Sequence, residues 1–268
     1  MITSTDLLQA RFLEHPFLHY NDTRFFYPRL SEQRKVLEVA YGFISDQKDP
    51  AKNLGVIAGP SGGGKSMLAM KLAGVRFLTP PAGNTLGLYM NTNTVTEPRH
   101  FLMAVLDTLG LPSTRSNANR VESIFERLST SEDQLLLVLD GPPVDQEYLT
   151  DLLEWSVEHN KKIKTLIFLQ DLNNNTSNIG SLNPFLGLYV PFRAPDVPEI
   201  ASLLYARALS AGNPDPFQLL DEKTLLALAE RAHGSLSEAL HLAQDQLEAA
   251  IEEKKNSLTL ANFTFLQK

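Results

Sequence analysis

The sequence contains no cysteine, which excludes disulfides, thiolate zinc sites and cysteine nucleophiles. Long apolar runs are missing too. Stretches such as Leu135–Leu139 and Leu166–Leu169 fall far short of the ~20 residues that cross a bilayer. The opening MITSTDLLQA has neither the basic region nor the apolar core of a secretory signal, so the expectation is a cytosolic protein with no membrane insertion. Positive charge is not in excess: 24 Lys and Arg stand against 31 Asp and Glu, a formal charge of -7. That removes any whole-molecule attraction to nucleic acid, although a local basic face stays open. The 15 Gly and 16 Pro are scattered, and neither repeats nor low-complexity tracts occur, which excludes fibrous and disordered classes.

The chain has 268 residues, 43% hydrophobic and 21% charged. At ~150 residues per domain this suits one α/β core with a smaller appendage. Residues 1–50 form a lead-in: an aromatic-rich segment, His15-Pro16-Phe17 through Arg24-Phe25-Phe26-Tyr27-Pro28, then an amphipathic helix after Ser31. Residues 51–192 alternate short apolar runs with helical patterns. Strands are expected at Leu54–Ala58, Leu86–Met90, Leu135–Leu139 and Thr165–Leu169, and helices from Lys65, Pro98 and Gln146 and over Val121–Leu128. That alternation predicts βαβ units on a parallel sheet. From Pro195 onward strand signals disappear, and helical patterns near Val197–Ser210, Glu222–Ala232 and Ser237–Glu252 predict a small all-helical domain over 193–268.

The sharpest motif is Gly59-Pro60-Ser61-Gly62-Gly63-Gly64-Lys65-Ser66, with Met67 continuing into the helix. It matches G-x-x-x-x-G-K-[ST] between an apolar strand and an amphipathic helix, the setting of a phosphate-binding loop. Glycines let successive N–H groups converge on phosphate oxygens, and the helix N-terminus adds its positive dipole end. Lys65 is expected to reach the β/γ-phosphates and Ser66 to offer its hydroxyl to Mg²⁺. The same stretch also fits the G-x-S-x-G nucleophile elbow, with Ser61 as nucleophile and His233 or His241 as partner, but that reading leaves Gly64-Lys65-Ser66 without a purpose.

A nucleotide site needs a carboxylate at the end of a neighbouring strand to hold the metal's water shell, and Asp140 closes the run Leu135–Leu139. The following residue, often a water-polarising acid in hydrolysing P-loop proteins, is Gly141, followed by Pro142-Pro143. Asp145 and Glu147 are the nearest carboxylates beyond. Gln170 ends the next apolar strand, where a polar side chain can sense the γ-phosphate, with Asp171 and the Asn173-Asn174-Asn175 loop after it. Lys161-Lys162-Ile163-Lys164 is the densest basic run and reads as a solvated loop or a phosphate-backbone contact. Of six His, only His15 and His19 lie four apart, and Pro16 and Phe17 between them oppose a metal-binding helix. Trp155 lies on an amphipathic pattern and is expected in the core.

The order of P-loop, Asp-terminated strand, polar-terminated strand and helical tail resembles the AAA+ superfamily of P-loop ATPases. Within it the chain is similar to the ExeA-type branch, related to the TnsC and MuB transposition ATPases and the origin-recognition ATPases. The matching segments are Glu14-His15-Pro16-Phe17 with Asp22–Tyr27, Phe192-Arg193 through Glu199, Tyr205–Gly212 and Ala232–Leu240. The resemblance implies an α/β P-loop core followed by a helical lid, with ATP and Mg²⁺ as ligands. It also implies self-association, a protein partner and, in the transposition and replication relatives, DNA. Its lid commonly carries a Gly-x-Pro-Arg sensor, where this chain has Gly234-Ser235-Leu236-Ser237. With Gly141, that implies ATP binding with weak or partner-dependent hydrolysis. Arg193 and Arg207 are candidates for a nucleotide-contacting or inter-subunit cation, with surface or ion-paired arginine as the alternative.

Overall fold

The computed structural model describes residues 3–18, 24, 30–46, 49, 51–74, 78–79, 83–95, 97–113, 116–143, 146–159, 163–170 and 176–265, with side chains omitted at 78–79, 83–84, 176–178 and 254–265. Two compact units emerge. One takes Met1–Ser31, Gly62–Gly64 and Ala194–Lys268, the other Glu32–Ser61 and Lys65–Arg193.

The second unit is built on a six-stranded sheet: β1 Leu54–Gly59, β2 Leu78–Thr79, β3 Gly83–Asn91, β4 Gln134–Asp140, β5 Ile163–Gln170 and β6 Leu186–Pro191. The order is β2-β3-β4-β5-β1-β6. The two-residue β2 is antiparallel to β3, and every other neighbouring pair is parallel. Residues of β1 and β4 are buried along their whole length, as expected of central parallel strands covered on both faces, which read as continuous apolar runs. Helices α2 Ser31–Ser45, α3 Lys65–Ala73, α4 Pro98–Thr108, α5 Asn117–Thr130 and α6 Gln146–Glu158 accompany the sheet. Leu102, Val105 and Leu106 of α4, Ile124 and Leu128 of α5, and Leu149, Leu152 and Leu153 of α6 share one core with Leu135, Leu137 and Leu139. Trp155 is at the margin of that core, its indole stacked between Phe125 and His159 with 4.8 Å between centroids on each side.

The first unit contains α1 Ser4–Gln9, α7 Val197–Ser210, α8 Glu222–Arg231 and α9 Leu236–Phe265. Its separate core joins Phe12, Phe17 and Leu30 to Ile200, Leu204, Leu228, Ala239 and Leu247. The start of each helix is marked chemically. Asp196 and Glu199 form a capping box on α7, Asp221 accepts from Thr224 N–H on α8, and Ser235 Oγ accepts from Glu238 N–H at 3.2 Å on α9. Strand β6 is an addition to the elements expected above. Its alternating exposure, with Gly187 and a terminal Pro191, is that of an edge strand. Among the described residues no helix is long and apolar enough to cross a membrane.

Candidate nucleotide site

Strand β1 delivers the chain at Gly59 into a loop that ends where α3 begins at Lys65. Gly62 and Gly64 both have left-handed backbone, with φ of 74° and 94°, a conformation that L side chains disfavour and that lets alternate peptide N–H groups turn to one side. Gly59 is needed for a different reason. A Cβ there would lie 2.8 Å from Phe192 Cβ and overlap the Phe192 carbonyl, because the chain leaving β6 returns to β1 with Phe192 N–H donating to Ala58 O at 2.6 Å. Within its own unit, Gly62 O accepts from Leu236 N–H at 2.8 Å and Ser237 N–H at 3.3 Å. The Gly234–Ser237 segment therefore caps α9 and holds a loop carbonyl, using backbone N–H groups rather than a side-chain cation.

Lys65 is buried to 8% exposure. Its ammonium donates to Gly59 O at 2.9 Å and also to Pro60 O, so the positive charge lies against the loop that precedes it. Ser66 follows on the first turn of α3 and is half-buried. Gly59 pairs in register with Gln170, whose side chain is exposed at the end of β5. On the other side of β5, Asp140 pairs with Phe168. Lys65, Ser66, Gln170 and Asp140 thus sit at or just beyond the carboxyl ends of the adjacent strands β1, β5 and β4. Ligands of open α/β sheets bind along this edge.

Asp140 is 8% exposed and is tied from two directions. Tyr89 Oη donates to its Oδ2 at 2.9 Å, and Thr92 Oγ1 donates to its backbone carbonyl at 3.2 Å. Burial first, then the charge and hydrogen bond of Asp140, push the Tyr89 phenol well above its ordinary pKa. Gly141 N–H donates to Phe168 O at 2.9 Å, and its φ is 121°. A Cβ on residue 141 would overlap Thr92 Oγ1 and lie 3.0 Å from Asn93 Nδ2. The space where an acidic side chain would start is already filled from the end of β3. Neither Tyr89, Thr92 nor Asn93 is marked by a motif, since each matters through the β3–β4 pairing.

The remaining expected residues distribute as follows. Glu147 lies exposed in the first turn of α6. Asp145, Asp171, Asn173–Asn175, Lys161, Lys162, His19, Asp22, Thr23 and Phe25–Pro28 lie outside the described residues. Lys164 is not solvated: it is 7% exposed, donates to Lys52 O at 3.2 Å and stands 4.6 Å over the Phe43 ring. Arg193 is exposed. Arg207 is 2% exposed inside the helical unit, which corrects its reading as a cation offered to a neighbouring subunit, since a guanidinium buried there has no outward reach. His233 and His241, the nominated partners of a Ser61 nucleophile, belong to the helical unit, and His241 Nδ1 lies 2.9 Å from Ser237 O.

No family profile and no curated protein matches the chain by sequence. Solved structures do share its fold. The chain is similar to Cdc6p from Pyrobaculum aerophilum, with 18% identity over 88% of this chain and 66% of that one and a TM-score of 0.63. It is similar to the ORC2 protein of Aeropyrum pernix, solved in ADPNP–ADP complexes, with 17% identity, coverage of 88% and 71% and a TM-score of 0.61. For the ORC1 protein of the same organism, solved in complex with DNA, the values are 20%, 84%, 65% and 0.59. At such identities the likeness is one of fold alone, the fold shared with these Cdc6 and ORC proteins. The chain spans about two thirds of the length of those proteins.

Proposed function

We propose that this chain is an ATP-binding switch of the AAA+ kind, related to the ExeA-type branch and working in the cytosol. Bound Mg²⁺-ATP would set its conformation and self-association, and through them the capture or release of a protein partner. The observation that carries this reading is the loop Gly59–Ser66, with left-handed Gly62 and Gly64 and buried Lys65, and with the single strand β5 between β1 and the strand that ends in Asp140. These residues fit a magnesium nucleotide: a Cβ would spoil the loop's conformation, the ammonium is already held among loop carbonyls, and a buried carboxylate stands at the same edge.

Mg²⁺ supplies charge neutralisation for the β- and γ-phosphates when bound. The roles assigned to the chain's own residues are these. Gly59, Pro60, Ser61, Gly62, Gly63, Gly64 and Met67 shape the loop and the first turn behind it. Lys65, which donates to Gly59 O and Pro60 O, would donate to phosphate oxygens. The Ser66 hydroxyl and the Asp140 carboxylate would hold the metal and its water shell. Gln170 would sense the γ-phosphate. No base adjoins Asp140 in the chain, because residue 141 is glycine, so water is not deprotonated efficiently and hydrolysis is weak or completed by a partner. Titration of fluorescent ATP against wild type and Lys65→Ala tests the reading. A loss of affinity of at least tenfold is expected, and equal affinity refutes it.

A second reading is an ATP-dependent DNA-binding regulator of the transposition or replication type, favoured by the fold shared with the DNA-bound ORC1 protein and opposed by the net charge of -7. An ATP-dependent mobility shift of duplex DNA that weakens steeply with salt would select it.

A further inference from the structure

Strands β3 and β4 run parallel with Asn91 beside Asp140 and Tyr89 beside Val138. Tyr89 and Asn91 are two apart, so they share a face with Asp140. Asn91 is the lateral neighbour of the carboxylate, yet Asn91 Oδ1 turns back to accept Asn93 N–H at 3.1 Å. The contact with Asp140 is made instead from the diagonal position, by the length of a tyrosine. Its phenol oxygen lies 2.9 Å from Oδ2. Thr92, from the same strand end, holds the carbonyl of the same residue.

We propose that Tyr89 is a positioning residue for the magnesium site: by donating to Oδ2 it locks the Asp140 carboxylate in one orientation, so that the metal's water shell is addressed by the other oxygen. The proposal rests on the reading of Asp140 as the metal-side carboxylate. A water-mediated metal contact asks for an oxygen at a set place, and a carboxylate free to rotate about its terminal torsion loses part of that. The phenol is the one group among the described residues that hydrogen-bonds a carboxylate oxygen of Asp140. An alternative is that the ring merely fills the space between strand and helix, in which case the hydroxyl is incidental.

Tyr89→Phe separates the two, because it keeps the ring and removes only the donor. Binding of fluorescent ATP is measured in EDTA and across a Mg²⁺ titration, for wild type, Tyr89→Phe, Asp140→Asn and the double variant, with thermal unfolding of each. In EDTA, Tyr89→Phe is expected to bind ATP within twofold of wild type. Its half-saturating Mg²⁺ is expected to rise roughly tenfold, the scale of one hydrogen bond to a charged group. In the Asp140→Asn background the same substitution is expected to change that midpoint less than twofold, since coupled residues are non-additive. An unchanged Mg²⁺ midpoint in Tyr89→Phe, or an equal shift in both backgrounds, overturns the positioning role while leaving ATP binding intact. Absence of ATP binding by wild type at any Mg²⁺ concentration overturns the nucleotide-site reading itself and this inference with it.

Discussion

Gly141 offers the sharpest test, because the acid missing from the sequence invites the substitution Gly141→Glu as a repair. The geometry predicts damage instead. Backbone at φ of 121° belongs to a region essentially reserved for glycine, and a side chain forced there costs about 1–3 kcal/mol. The new Cβ would also overlap Thr92 Oγ1 and press on Asn93 Nδ2 at 3.0 Å, and overpacking of this kind adds about 1–3 kcal/mol. The sum, about 2–6 kcal/mol, is a large part of the 5–15 kcal/mol by which domains are typically stable. Since Thr92 also holds the Asp140 carbonyl, relief of the overlap would come from moving the group that steadies Asp140, the residue proposed to hold the metal's water shell. With a urea slope of ~2 kcal/mol/M, a loss near 3 kcal/mol lowers the unfolding midpoint by about 1.5 M. The cost arises at Cβ, so Gly141→Ala is expected to lose nearly as much as Gly141→Glu. Urea unfolding followed by circular dichroism reads the first effect, and ATP turnover by phosphate release reads the second. A Gly141→Glu protein as stable as wild type that hydrolyses ATP faster would refute the reasoning.

Gly59→Ala is expected to destabilise by about 1–3 kcal/mol through collision with the Phe192 backbone, seen as a lower urea midpoint and weaker ATP binding; a neutral substitution would mean that the β6 return can move. Glu199 is expected to make the helical unit sensitive to acid. Burial raises its carboxyl pKa, but the hydrogen bonds from Ser31 N–H at 2.7 Å and Asp196 N–H at 3.2 Å outweigh it and hold the pKa below its ordinary 4.5. A depressed folded pKa stabilises above the unfolded value and loses that contribution as pH falls through the folded one. Glu199→Gln should therefore be less stable than wild type at pH 7, with the gap closing as pH falls from the ordinary 4.5 through the lower folded-state pKa; a constant gap across that range would show that the charge is not involved.

Much of the architecture was legible in local pattern. Leu54–Ala58, Leu135–Leu139 and Thr165–Leu169 were readable as strands because both faces of each are buried, leaving an unbroken apolar run. Helix α7 was readable to its last residue, since Asp196, Pro198 and Glu199 mark its start. Helix α5 begins at Asn117, earlier than Val121, because Ser116 caps it with a polar first turn that apolar periodicity does not register. Lys164 looked like part of a solvated basic run, yet alternation along β5 turns it inward under Phe43. Strand β6 went unread although Leu186, Leu188, Tyr189 and Val190 form an apolar run, because Gly187 and Pro191 break it into a piece that local pattern assigns to a loop.

The chain by itself determined the strand–loop–helix setting of Gly59–Ser66, the strand–helix alternation and the helical tail, because each depends on residues within a turn or two of one another. What only the tertiary structure decided is which strand ends meet. The order β3-β4-β5-β1 brings Asp140 and Gln170 to the edge where Gly59–Ser66 leaves the sheet. The β3–β4 register brings Tyr89 to Asp140 and places Thr92 and Asn93 over Gly141. Gly141 alone reads as a residue lost; in the fold it is a residue required. Pairing across strands joins positions far apart in sequence, and a one-residue slip would turn every such side chain to the opposite face, so no local pattern could have announced them.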